Sequence, residues 1–227
     1  YTLMKWKRAK MKLSDNTISV LKNYSTINQN LMINMGSTLS TMSAMKNIVA
    51  KATVEETFEK DVAIYDLNEF LGCLTQDTMD LNFQDHSMIM IDSEGDPLEY
   101  FYSDPSVVTT VSKAIELPKC EVNFTLPTEQ LSKAIRRANG IGAPDMKLKN
   151  GHLTFTDKKN DTANSYSMKV FEDTSGADYE FWFKVENLKL MSGTYEVSVS
   201  SKKISHFKNT NADLEYFIAL EPESYYG

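Results

Sequence analysis

Lys133, Arg136 and Arg137 recur at i, i+3 and i+4 within the stretch Thr125–Gly142, with no carboxylate among them. That spacing gathers three cations on one side of a helix. Side chains of this type can meet phosphate oxygens through exchangeable, sequence-blind contacts. The helix that would carry them is marked at both ends. Pro127 and Thr128 suit its start, Glu129 suits the positive end of its dipole, and Gly140 and Gly142 suit its stop. Leu131, Ala134, Ile135 and Ala138 fall at helical spacing and supply an apolar face. The competing reading is a solvated helix side that binds nothing. In a chain of 227 residues with net charge −7, a wholly cationic helix side calls for an account.

Other residue types offer less. Gly140-Ile-Gly142 contains G-x-G, but it closes a helix instead of following a strand, so it is not a phosphate cradle. No G-x-x-x-x-G-K-[ST] occurs, so any ATP belongs to a partner. Asp61, Asp66 and Asp77 are conceivable metal ligands, but Asp66 has a helix-capping role, with Glu69 three residues on. His86, His152 and His206 are scattered, as are Cys73 and Cys120, and no pair stands at zinc-ligand spacing. The expectation is a protein with no catalytic constellation, no metal and no cofactor, its two cysteines free thiols in a reducing cytoplasm.

The elements that must position the cations follow from hydropathy. With 41% hydrophobic residues and no run of 18 apolar ones, the chain reads as folded, with no membrane span. Residues 1–10 hold Lys5, Lys7, Arg8 and Lys10 and precede Met11-Lys-Leu-Ser, a natural start; they are expected to be a flexible extension. Next come a strand at Met11–Leu13, a helix with Val20, Leu21, Tyr24 and Ile27 on its apolar face, and short strands between 31 and 60. A strand at 61–65 leads into a helix at 66–77. Strands are expected at about 79–84, 87–92 and 97–102. Residues 103–119 read as a connector, with Val107–Val111 β-rich and Pro118 closing the run. After it, strands are expected near 120–126, 145–149, 152–157, 164–171, 178–184, 194–201, 203–209 and 213–221, with Asn150-Gly151 a hairpin turn. A short helix is expected at Val185, Leu188 and Met191. The two halves echo each other: strand then amphipathic helix, and later strand then short helix. The reading is α+β, two similar domains of antiparallel sheet with two helices each, over 11–112 and 113–227.

Several runs carry a family resemblance: Met11-Lys-Leu-Ser, Leu21-Lys-Asn-Tyr-Ser-Thr-Ile-Asn28, Asp61-Val-Ala-Ile-Tyr-Asp-Leu-Asn68, Phe70-Leu-Gly72, Asp104-Pro-Ser-Val-Val108, Met191-Ser-Gly-Thr-Tyr195 and Ile218-Ala-Leu-Glu221. From Met11 to the C-terminus the chain resembles the DNA polymerase sliding clamps of T-even-type tailed phages. The resemblance implies the DNA clamp fold, six domains in a homotrimeric ring around duplex DNA. It also implies the replicative DNA polymerase and an ATP-dependent clamp loader as partners, a late-transcription sigma factor and coactivator, and the cytoplasm of an infected bacterium as location. With helices facing the lumen, Lys22, Lys133, Arg136, Arg137 and Lys189 would face DNA. The helix at 66–77 departs from this, because its exposed side offers Asn68, Glu69, Gln76 and Asp77. Partner tails would seat in an apolar pocket near the domain junction, expected at Val107, Val108, Val111, Tyr216 and Ile218. The rival from another class is a non-enzymatic, β-rich phage adaptor or structural protein whose basic helix is merely solvated.

Overall fold

Residues that alternate between core and solvent set most of this chain. The computed structural model describes residues 10–74 and 79–227. These divide into two compact units: one runs up to Met42 and takes in Ala52–Val111, and the other joins Ser43–Lys51 to Ser112–Gly227. Residues 1–9 of the expected extension, and Gln76 and Asp77, lie outside the described residues.

In the first unit, α1 (Asp15–Ile27) is followed by β1 (Leu31–Ile33), β2 (Gly36–Met42), β3 (Ile48–Phe58, whose start up to Lys51 belongs to the second unit), β4 (Val62–Ile64), α2 (Leu67–Cys73), β5 (Asp80–Phe83), β6 (Ser87–Ile91) and β7 (Pro97–Phe101). β1 pairs antiparallel with β4, and β5, β6 and β7 form an antiparallel meander. The apolar face read for α1 is buried at Val20, Leu21, Tyr24 and Ile27. The Tyr24 hydroxyl donates to the Leu39 carbonyl at 3.1 Å, which satisfies a polar group that burial would otherwise strand. The expected strand at Met11–Leu13 reduces to one bridge, Met11 to Leu81, beside which Lys10 pairs with Asp80 at 2.9 Å. α2 ends earlier than the helix expected to reach residue 77.

The connector is not a strand. Asp104 accepts the Ser106 N–H at 2.8 Å and starts a 3-10 turn at Pro105–Val107. The chain is then held by side contacts: Thr109 N–H donates to Asn30 at 2.7 Å, and Val108 packs with Met32 and Ala63.

In the second unit, β8 (Val122–Leu126) leads into α3 (Thr128–Gly140). Then come β9 (Asp145–Lys149), β10 (His152–Thr156), β11 (Tyr166–Lys169), β12 (Tyr179–Lys184), β13 (Tyr195–Ser200), β14 (Ile204–Asn209), β15 (Leu214–Ala219) and β16 (Tyr225–Tyr226). One sheet has the order β11-β10-β9-β12-β16; the other runs β15-β14-β13-β8, with the start of β3 beside β15. Phe181 and Phe183 point to the core while Glu180, Trp182 and Lys184 stay half-exposed, the period-two signature of a one-sided sheet. Asn150 and Gly151 both take positive φ, as a tight hairpin requires. A Cβ on Gly151 would stand 2.2 Å from the Phe171 carbonyl oxygen, so no other residue fits there.

The helix expected over Val185–Met191 is a single 3-10 turn, Val185–Asn187. Its polar groups are satisfied by distant partners instead of by a continuing helix. Buried Asn187 accepts from the Asn47 amide at 3.3 Å, and Met191 N–H donates to the Tyr216 hydroxyl at 3.1 Å. Three apolar residues are too few to carry a helix against such competition. The described chain therefore has three α-helices, two in the first unit and one in the second.

Candidate nucleic-acid interface

α3 is built as the sequence suggests but starts differently. Pro127 gives no side-chain cap, and the orphan N–H of Thr128 donates instead to the Thr194 hydroxyl at 3.2 Å. Leu131, Ala134 and Ala138 are buried. Lys133, Arg136 and Arg137 are exposed on the opposite side. Among the described residues no carboxylate forms an ion pair with any of them, although Glu129 stands one turn before Lys133. Elsewhere in this unit some lysines are paired, Lys149 with Glu180 at 2.8 Å, Lys184 with buried Asp145 at 2.6 Å, and Lys158 with Glu221 and Glu223, whereas Lys147, Lys202, Lys203 and Lys208 also form no ion pair among the described residues. The α3 cations are thus left available to an external anion. Arg137 has one further contact, its guanidinium carbon lying 5.9 Å from the centroid of the Tyr166 ring.

Lys22 is exposed on α1 and has no ion pair among the described residues. Its surroundings are polar and nearly neutral: Asn16, Ser19 and Thr26, with Asp15 in the first turn. Ser14 caps α1 by accepting the Thr17 N–H, and buried Glu56 accepts from the Ser14 N–H and the Thr17 hydroxyl. The sequence reading missed Glu56, which lies 42 residues from Ser14 and carries no local signal. Lys189 is half-buried in irregular chain after the 3-10 turn, so it does not project from a helix as expected. α2 exposes Asn68 and Glu69 and no cation.

The five residues expected to line a partner pocket separate into two kinds. Tyr216 and Ile218 are 0% exposed in β15 and belong to the core. The Tyr216 ring packs edge-on to Tyr195 with centroids 6.1 Å apart, and burial pushes its hydroxyl above the usual tyrosine range. Both point inward because the burial register of β15 runs 214, 216, 218, which a charge-free reading of Tyr216-Phe-Ile218 leaves ambiguous. Val108 is also closed, held by Met32 and Ala63. These three are corrected to core residues. Val107 is 52% exposed and Val111 half-exposed.

The groups weighed for catalysis or metal binding have structural uses. Asp61 accepts the Met35 N–H at 2.7 Å, and Asp66 accepts from Asn68 and Glu69 at the start of α2. Desolvation raises the pKa of Cys73 and of Cys120, with Glu69 and Glu121 adding to it, which keeps both thiols protonated and unreactive. Among the described residues no group of three or more His, Cys, Asp or Glu could hold a metal ion. Among the described residues no helix is long and apolar enough to cross a membrane.

Comparisons with known proteins give the arrangement its context. Residues 12–85 match the family described as DNA polymerase processivity factor, and residues 124–222 match the C-terminal part of the gp45 sliding clamp. The sliding clamp of Vibrio phage KVP40 is 30% identical over 221 residues, 93% of this chain and 99% of that protein. The sliding clamp of Enterobacteria phage T4 is 28% identical, covering 94% and 98%. In fold, the chain is similar to proliferating cell nuclear antigen of Entamoeba histolytica, with a TM-score of 0.65 at 14% identity over 93% of this chain and 98% of that one. It is also similar to the A. fulgidus antigen solved with the C-terminal region of FEN-1, with a TM-score of 0.70 at 15% identity over 94% and 100%. The fold is therefore that of the DNA clamps, and the chain belongs to the sliding clamp family of the T4-type phages, the processivity factors of DNA polymerase.

Proposed function

We propose that three copies of this chain close into a ring around duplex DNA, that each compact unit is one clamp domain, and that α3 supplies the main phosphate contacts. The observation that carries this reading is the cationic side of α3, where Lys133, Arg136 and Arg137 gather on one exposed helix side without an ion pair among the described residues, in a chain of net charge −7. A clamp must hold DNA yet slide, so its contacts must exchange among phosphates and ignore bases. The acidic balance of the rest keeps DNA off other surfaces. Lys22 adds a weaker contact from α1, and Lys189 one from beside the 3-10 turn.

The sheet edges support ring closure. Met11 bridges to the outer side of β5, and β16 covers β12. β7 and β11 stand at the opposite ends of those sheets, and β7 exposes Leu98 and Phe101 at 37% and 67%. Pairing β7 of one copy with β11 of the next is a heterologous contact, which generates a ring when it closes. The connector, with Val107 and Val111 accessible, is the surface for partner tails, as the FEN-1 C-terminal segment on the A. fulgidus neighbour suggests by analogy. Those partners are the polymerase, an ATP-driven loader, and a late-transcription sigma factor with its coactivator, in the host cytoplasm. The clamp itself does no covalent chemistry.

Two measurements test this. Light scattering should give a mass near three times 25.8 kDa; a monomer refutes the ring. Replacing Lys133, Arg136 and Arg137 together by Glu should abolish clamp-dependent primer extension on long templates while the fold persists, since exposed charges contribute little to stability. Unchanged processivity in that variant rules out α3 as the DNA-facing element.

A further inference from the structure

We infer that Tyr166, at the edge of the β11 sheet, is a positioning residue that seats Arg137 for phosphate contact; this rests on the reading of α3 as the DNA-facing helix. Arg137 differs from its two neighbours. Its guanidinium lies over the Tyr166 ring at 5.9 Å, whereas Lys133 and Arg136 make no ring contact among the described residues. The ring is itself fixed. Tyr166 pairs across the strands with Phe155, the two rings are stacked with centroids 6.4 Å apart and planes 27° apart, and Phe155 is 1% exposed. A long, exposed side chain at the last turn of a helix is therefore held against a surface anchored in the core.

The chemistry of the contact suits the task. An aromatic ring engages the flat face of a guanidinium and leaves the in-plane N–H donors free, while a carboxylate would consume those donors and cancel the charge. Seating on Tyr166 removes rotamer freedom before a phosphate arrives, so less is lost when it binds. It also places one of the three cations against the strand proposed to join the next subunit. Lys133 and Arg136 remain mobile point contacts, suited to exchange during sliding.

The test compares variants in equilibrium binding to a short fluorescent DNA duplex at stepped salt, with light scattering in parallel. Arg137→Ala should lower the slope of log affinity against log salt by about 0.9, the loss of one phosphate contact. Arg137→Lys keeps the charge but has no flat face to stack, so it should keep the slope and weaken binding about two- to five-fold. Tyr166→Phe should bind as the parent does. Tyr166→Leu should match Arg137→Lys, and adding it to Arg137→Ala should cost nothing more. Arg137→Lys does not alter β11, so a Tyr166→Leu protein that fails to assemble leaves the test intact. Parental affinity in Arg137→Lys, or additive losses in the double variant, overturns the seat while leaving α3 at the DNA. An unchanged slope in Arg137→Ala overturns the seat together with the DNA-facing assignment of Arg137.

Discussion

α1 and α3 are the first α-helices of their respective units and bury one apolar face each, yet they treat charge in opposite ways. α3 gathers Lys133, Arg136 and Arg137 on its exposed side, and its first free N–H is met by a neutral hydroxyl, that of Thr194. α1 shows one cation, Lys22, among Asn16, Ser19 and Thr26, and a buried carboxylate, Glu56, is lodged against its first turn. The difference teaches that packing and electrostatics are specified separately. The buried face of each helix is what the sheets demand, and the exposed face is free to be strongly cationic in one unit and almost neutral in the other. On the proposal that α3 faces DNA, phosphate contact is accordingly a property mainly of the second unit.

The comparison can be broken most directly at the helix starts. Glu56→Ala leaves the Ser14 N–H and the Thr17 hydroxyl without their acceptor in a buried setting. It should cost about 1–3 kcal/mol in urea unfolding. Thr194→Val removes the acceptor from Thr128, which is half-exposed and open to water, and should cost about 1 kcal/mol or less. If Thr194→Val proves the costlier of the two, the two starts are not held in the way described.

The exposed faces offer a second handle. Placing lysines at Ser19 and Thr26 should make α1 resemble α3 and steepen the salt dependence of duplex binding by about 0.9 per phosphate gained. No change would mean that α1 does not approach DNA. Lys22→Ala should remove one such contact at most, a smaller loss than the triple change in α3.

The smallest effect concerns α2, which has no cation and is capped by Asp66. The Asp66 carboxyl is held below the usual carboxylate range, first by the Glu69 N–H and then by Gln29, with burial opposing. A folded-state pKa that is depressed stabilises the protein above the unfolded value and loses that contribution as pH falls through the folded one. Asp66→Asn keeps an acceptor at the cap but cannot titrate, so the acid limb of melting temperature against pH should be slightly flatter. A limb as steep as the parent's would show that Asp66 contributes no linkage.

Much of this was legible in the sequence because it depends on local period. The apolar faces of α1 and α3 follow from spacing alone, as do the Asn150-Gly151 hairpin and the cationic trio. What the sequence did not reveal depends on distant partners. The Val185–Met191 segment has helical spacing, but Asn47 and Tyr216 claim its polar groups. Tyr216-Phe-Ile218 reads as a strand, but which of its faces is buried depends on β14 and on what lies beneath. Val107 and Val108 are the same residue type side by side; only the packing of Met32 and Ala63 on Val108 tells them apart. Tyr166 reaches Arg137 from another element, and no spacing rule connects them.

The short segment Ser43–Lys51 has a practical bearing on any attempt to divide this protein. It is grouped with the second unit although it lies far upstream, and the Asn47 carbonyl accepts the Ala219 N–H at 2.9 Å beside β15. A fragment cut at residue 112 therefore omits part of its own sheet. It would present β15 as a bare edge, with Tyr216 and Ile218 beneath it, the sort of edge along which chains aggregate. Expressing the C-terminal half in soluble form would require adding back residues 43–51 as a tethered strand, or permuting the chain so that this hairpin tip comes first.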